Sequence, residues 1–323
     1  MQIRFSGTVA GVGTSCGYGY TAVELIKAWQ ALKVPVWWWG DNCDVCFNFA
    51  QPYGYDFPGE HNAPVTIGYT PWESTKIPYG WADLMNQMDE VWTTSEACKD
   101  WFINNGVYRR VRVLPHGINS EHFPLTKRSL APGDVFRFLH IGEPAERKGG
   151  QIVYEAFCDL FAGNNKVSLT LKGNPRFKVD APNVNVIRED LSQEELRGLY
   201  LSHHAMVYPT SGEGFGLIPF QAAATGMPTL VTDWSGPHDY IKYCWPIKVT
   251  KLVNCTYEPH EGLWAEPSVN QMKLWMEYFV DSPNYFFGHA YLKGKKLHRE
   301  WSWESIGKLS LTWFNELLEA KRS

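Results

Sequence analysis

No stretch of this sequence approaches the roughly 18 consecutive apolar residues of a membrane span. The opening "MQIRFSGTVAG" lacks the apolar core of a signal peptide and reads as a first strand. A soluble, cytoplasmic protein is therefore expected. Cysteine is sparse, at seven residues, and its only close pair is Cys43 and Cys46. No second C-x-x-C follows, so the chain offers no four-cysteine zinc site, and free thiols are expected. Positive charge is also short: the net charge of −4 excludes coating nucleic acid or anionic membrane through bulk charge. The local basic runs "YRRVRV" and "KGKKLHR" read as solvated faces and strand edges.

What the chain does have is an ordinary globular composition, 44% hydrophobic and 20% charged. Its 323 residues are long for one core, so two domains are expected. Aromatics reach 15%, with 15 Trp, a load that large cores use and that also suits stacking on sugars or bases.

Strand-like and helix-like segments alternate. "QIRFSGTV" precedes a glycine-rich loop and the helical "TAVELIKAWQALK"; "VPVWWW" reads as a second strand. Three consecutive Trp cannot share one strand face, which predicts a strand covered on both sides. "EACKDWFINNG" reads as a helix stopped at Gly106. The polar, proline-punctuated Pro124–Asp134 reads as an interdomain linker. A second alternating unit begins at "VFRFLHIG" and includes a helix opened by a Ser192/Glu195 capping box. The rhythm predicts two α/β, Rossmann-like doubly wound parallel-sheet domains with a cleft between them, over residues 1–125 and 134–295. Residues 296–323 read as an amphipathic helix packing back towards the N-terminal domain.

Two strand-to-helix corners carry candidate chemistry. In "YPTSGEGFGLIPFQAAATG", a lone acid, Glu213, stands among glycines just beyond a strand's carboxyl end. Open α/β sheets bind ligands at that edge. Pro219 reads as the first residue of the next helix, whose free N–H groups attract phosphate, with Gln221 in its first turn. In "LHIGEPAERKGG", Arg147 and Lys148 sit at the corresponding junction, suited to a diphosphate. Cations at one corner and an acid that accepts from sugar hydroxyls at the other form a coherent site. The N-terminal glycines fail the dinucleotide fingerprint G-x-G-x-x-G because position 16 is Cys.

These segments resemble glycosyltransferase family 4, retaining enzymes of the GT-B fold. "EGFGLIPFQAAATGMP" is similar to that family's E-x7-E segment and "IGEPAERKGG" to its diphosphate corner. "VLPHGINSEHF" and "GLWAEPSVNQM" resemble two further family segments. The resemblance runs from about Tyr69 to the end. It implies that Glu213 contacts the donor sugar and Lys148 the diphosphate. The second motif carboxylate is Gln221 here, a neutral group able to bond ribose, and the family arginine position is Glu143. Arg147 is the neighbouring substitute.

On this resemblance Glu213, Lys148 and Arg147 are catalytic candidates. Donor candidates are Gly13, Gly142, Gly214, Phe215, Gly216, Leu217 and Gln221; acceptor-side candidates are Gly11, Asp41, Glu73 and His116. No metal or cofactor is expected, only a nucleotide-diphosphate sugar as co-substrate. The absence of a D-x-D motif at a strand end agrees with this. The acceptor is left open among a glycan, lipid, protein or modified DNA base. Rival readings are a non-hydrolysing sugar-nucleotide epimerase, a binding protein that has lost turnover, and a DNA glycosyltransferase acting on hydroxymethylated bases.

Overall fold

The computed structural model describes residues 1–7, 17–38, 42–142 and 146–322. They form two compact units. The first comprises Met1–Asn119, Asn254–Leu263 and Trp301–Ser323; the second comprises Ser120–Val253 and Trp264–Glu300. Among the described residues no helix is long and apolar enough to cross a membrane.

The first unit is built on six parallel strands: β1 (Ile3–Ser6), β2 (Val36–Trp37), β3 (Val45–Phe49), β4 (Val65–Tyr69), β5 (Glu90–Thr93) and β6 (Val111–Val113). Their order is β2-β1-β3-β4-β5-β6. Helices α1 (Gly17–Ala31), α2 (Trp81–Met85) and α3 (Glu96–Asn104) connect them. Every residue of β3, β4 and β5 is buried, as expected for strands covered on both faces. The tryptophan run departs from that expectation. β2 is a two-residue edge strand, with Trp37 55% and Trp38 39% exposed, and Trp39 lies outside the described residues. An edge strand has no neighbour to cover its outer face, so alternation alone misplaced it.

The other Trp residues show where the aromatic load goes. Trp29, Trp81 and Trp92 are fully buried. The C-terminal helix, Trp303–Arg322, contributes Phe314, which stacks on Trp92 at 4.9 Å and meets Phe47 at 5.9 Å. Trp29 Nε1 donates to Ser310 Oγ of the same helix at 2.7 Å, satisfying a polar atom that burial would otherwise strand.

The second unit is also a six-stranded parallel sheet. Its strands are β7 (Phe136–Ile141), β8 (Val167–Lys172), β9 (Val184–Ile187), β10 (Ala205–Tyr208), β11 (Thr229–Thr232) and β12 (Trp245–Ile247). The order β12-β11-β10-β7-β8-β9 reverses direction between β7 and β10, creating a topological switch point there. Helices α4 (Gly150–Phe161), α5 (Gln193–Ser202) and α6 (Leu217–Ala224) cross between strands. The Ser192/Glu195 capping box opens α5 as the sequence predicts. Phe136, Phe138, Phe157 and Phe161 anchor the core.

The segment around Arg128 is bound closely to this unit. The Arg128 guanidinium donates to the carbonyls of Tyr200, His203 and Thr225, at 2.8, 3.0 and 2.7 Å. It therefore caps the carbonyl ends of α5 and α6 together, where a cation is favoured. Burial lowers its pKa to about 10. With its far end fixed, α6 is held with its N-terminus at the carboxyl edge of the sheet.

Candidate active site

The switch point between β7 and β10 brings the two sequence corners together. After β7 the chain reaches a 3₁₀ turn, Glu146–Lys148, and then α4. Gly149 joins them at φ +75°, and a Cβ there would lie 2.5 Å from the Pro209 carbonyl oxygen. Glycine is what lets this turn press against the end of β10. Ser211 N completes the junction, donating to the Arg147 carbonyl at 2.7 Å.

A 3₁₀ turn spaces successive side chains about 120° apart, so Arg147 and Lys148 point different ways. Lys148 Nζ donates to Glu213 Oε1 at 2.6 Å. Arg147 turns inward instead: its guanidinium donates to the Gly212 carbonyl and lies 3.5 Å from Glu213 Oε1. Arg147 thus ties down the Glu213 loop from beneath, while Lys148 keeps the greater exposure.

Glu213 is buried, and three donors converge on one of its oxygens. Besides Lys148, Oε1 accepts from Tyr208 Oη at 2.9 Å and Thr210 Oγ1 at 3.2 Å. Its backbone N donates to Ser235 Oγ at 3.0 Å, and its carbonyl accepts from Gly236 N at 2.9 Å. Burial, the largest influence on this carboxyl, pushes its pKa up. The charges of Lys148 and Arg147 and the bonds from Lys148 and Tyr208 outweigh burial, leaving it below the ordinary glutamate value. The group is an anion at neutral pH. Tyr208 goes the other way: burial, then the Glu213 charge, lifts it well above 10, so its hydroxyl keeps the proton it donates.

His140 lies under this arrangement, stacked on Tyr208 at 5.7 Å between ring centroids. Its Nδ1 is 2.9 Å from the Val207 carbonyl, which can only accept, so Nδ1 carries the proton. Burial, with Lys148 adding to it, takes this histidine down to about 4.

The other donor candidates spread from this centre. A Cβ on Gly142 would sit 3.0 Å from Lys148 Cβ, so the first corner's glycine adjoins the lysine. Gly214 and Gly216 carry the chain from Glu213 into α6, whose first residue is Leu217. Phe215 packs inward on Phe220 and Tyr240, at 4.9 and 5.4 Å. Because α6 starts at Leu217, Pro219 is its third residue and Gln221 its fifth, two positions deeper than the sequence suggested. Proline is still tolerated in the first turn, where its missing N–H costs no helical bond. Gln221 is buried, and its Oε1 accepts from Tyr200 Oη at 3.3 Å.

The acceptor-side candidates belong to the first unit. Glu73 lies half-buried in the loop after β4. His116 is buried, 3.4 Å from Thr21 Oγ1 and stacked on Trp303, and burial lowers it to about 3. A ring so placed is a neutral packing element of its own unit. Gly11, Gly13 and Asp41 lie outside the described residues, as does Glu143.

Sequence reasoning missed Tyr208, Thr210 and Ser235. A tyrosine closing a buried strand needs a partner for its hydroxyl, and that was the available signal for Tyr208. Ser235 has φ +56°, a strained value for a residue with a side chain, and nothing in its local sequence announces this.

The assembled corner sets the Lys148 ammonium and the Arg147 guanidinium against the Glu213 carboxylate. The starts of α4 and α6 add backbone N–H groups that favour phosphate. It is chemically suited to hold a diphosphate and, beside it, hydroxyl groups.

Comparison with known proteins places this corner in context. Residues 135–251 match the family model of glycosyl transferases group 1. An uncharacterized glycosyltransferase of Methanocaldococcus jannaschii is 22% identical over 250 residues, covering 71% of this chain and 60% of that protein. The chain thus spans less than two thirds of that relative's length. Among solved structures, sucrose-phosphate synthase from Thermosynechococcus elongatus aligns with a TM-score of 0.67 at 14% identity, covering 99% of this chain and 100% of that one. The HepE protein of Anabaena, in complex with UDP and glucose, gives 0.70 at 11% identity, covering 98% and 100%. The chain has the GT-B fold, two Rossmann-like parallel-sheet domains with a helical C-terminus, and the matched segment 135–251 spans the second sheet.

Proposed function

We propose that this protein is a retaining glycosyltransferase that moves a sugar from a nucleoside diphosphate sugar to a hydroxyl acceptor without a metal ion. The observation that carries the reading is the Lys148–Glu213 pair at the switch point of the second unit. Lys148 and the N–H groups at the starts of α4 and α6 take the diphosphate and stabilise it as it leaves. Arg147, Tyr208 and Thr210 hold Glu213, which accepts hydroxyls of the donor sugar. The bond from the anomeric carbon to the leaving phosphate breaks as the acceptor oxygen bonds to the same face. The departing phosphate oxygen takes the acceptor's proton. The UDP and glucose named with HepE support UDP-sugars as the first donors to try.

A direct assay would incubate the full chain with UDP-sugars and candidate acceptors in EDTA and read the anomeric configuration of the product by NMR. Retained configuration in EDTA is expected. Inversion contradicts the retaining step, and activity restored only by a divalent ion contradicts the metal-free one. Stabilisation by nucleotide with no transfer to any acceptor favours the binding-protein alternative, which the neutral Gln221 motivates.

A further inference from the structure

Lys148 serves an anion already present in the structure, and the proposed donor would bring a second. Glu213 is buried, and the lysine is its shortest contact, at 2.6 Å. The carboxylate cannot follow Lys148 elsewhere. Tyr208 and Thr210, both fixed at the end of β10, hold the same oxygen, and its backbone is fastened to Ser235 and Gly236. A diphosphate drawing on Lys148 therefore leaves Glu213 a buried anion beside phosphate, with part of its compensation removed. Such a charge is costly unless new donors reach it. The hydroxyls of an attached sugar are such donors, whereas a bare nucleoside diphosphate brings none to that place.

We propose that Glu213 makes this corner select an intact nucleoside diphosphate sugar over the nucleoside diphosphate left after transfer. Glu213 is then a specificity-determining residue that also speeds product release. The inference rests on the glycosyltransferase reading and deepens it. Removing the carboxylate's charge, as in Glu213→Gln, would relieve repulsion of the bare diphosphate and leave one neutral carbonyl as a weaker acceptor for sugar hydroxyls. The bare diphosphate should therefore gain more than the sugar nucleotide.

The test is calorimetric binding of UDP and UDP-glucose, with GDP and GDP-mannose in parallel, to wild type and Glu213→Gln. Wild type is expected to prefer the sugar nucleotide. In Glu213→Gln the bare diphosphate should bind roughly tenfold more tightly, through loss of a nearby like charge. The sugar nucleotide should bind no better or worse, so the preference vanishes or reverses. Should Glu213→Gln fail to fold, the wild-type affinities decide: a bare diphosphate that binds at least as tightly as its sugar nucleotide overturns the inference. A preference unchanged within twofold overturns the inference and leaves the donor site standing. Wild type that binds none of these ligands, nor the ADP and dTDP pairs, contradicts the glycosyltransferase reading, and this inference with it.

Discussion

Glu213 and Glu90 make an instructive pair, one in each unit. Both are buried carboxylates served by a cation and by an aromatic donor. Glu90 accepts from Arg112 Nε at 2.8 Å and from Trp92 Nε1 at 3.0 Å, much as Glu213 accepts from Lys148 and Tyr208. Burial and pairing therefore do not distinguish them. Chain direction does. Glu90 opens β5, at the amino end of its strand, whereas Glu213 lies beyond the carboxyl end of β10 at a switch point. Their surroundings differ accordingly. Arg112 continues from Glu90 to Glu316 at 2.6 Å and lies over Trp313, closing a network that fastens the C-terminal helix. Glu213 is framed by Gly212 and Gly214, and its partners Lys148, Tyr208 and Thr210 all lie at or just beyond the ends of β7 and β10. Glu90 is tied into a network that fastens the C-terminal helix, whereas Glu213 stands at the sheet edge where open α/β sheets bind ligands.

Three experiments sharpen the contrast. The largest effect is expected from Glu90→Gln, which breaks a buried pair. Chemical denaturation should show a loss of about 3 kcal/mol, at the low end for such pairs because Arg112 keeps Glu316. Nucleotide affinity should be unchanged; a parallel loss of donor binding would break the comparison. Next comes Glu213→Gln, which should lower transfer about a hundredfold, the scale of a misplaced substrate. Its unfolding midpoint should fall less than that of Glu90→Gln, and the opposite ranking would make Glu213 the structural member of the pair.

The third is a dependence on acidity, read without any substitution, that separates the units. Burial lowers His140, His203 and His204 of the second unit each to about 4, and His116 of the first to about 3. A histidine whose folded pKa lies below its unfolded value of about 6.5 takes up protons first in the unfolded chain. Its stabilisation is present above about pH 6.5 and is lost as the pH falls towards the folded value. Glu213, also lowered, adds its own loss below the ordinary glutamate range, about pH 4.3. The thermal midpoint should therefore fall between pH 7 and pH 5, mainly through the second unit. Hydrogen exchange followed along the chain would check which unit opens first, and earlier opening of the first unit would refute this assignment.

Much of this was legible in the sequence where it depends on local pattern. The alternation of strand and helix, the Ser192/Glu195 box and the turn at Gly106, with φ +98°, were each visible in a few residues. So was the pairing of a cationic corner with an acidic one, because topology puts equivalent strand ends side by side. What escaped depended on contacts distant in sequence. Arg147 was expected to grip phosphate, and nothing near it says that the Gly212 carbonyl, 65 residues on, would claim it. Arg112, read as part of an exposed basic run, is buried on Glu90. Asn254–Leu263 joins the first unit although its neighbours belong to the second, a return that no local signal marks. Trp37 shows the converse error, in which a sound rule about buried strands met an edge.

The central claim is that Lys148 and Glu213 form a donor site, and ligand-induced stability tests it most directly. The thermal midpoint would be measured in EDTA against UDP, GDP, ADP, dTDP and their common sugar conjugates, for wild type and Lys148→Ala. A ligand at a hundred times its dissociation constant adds about 2.7 kcal/mol, a visible shift. The account predicts that one nucleotide family stabilises wild type and that Lys148→Ala loses most of that shift. No shift at millimolar ligand, or an equal shift in Lys148→Ala, would contradict it.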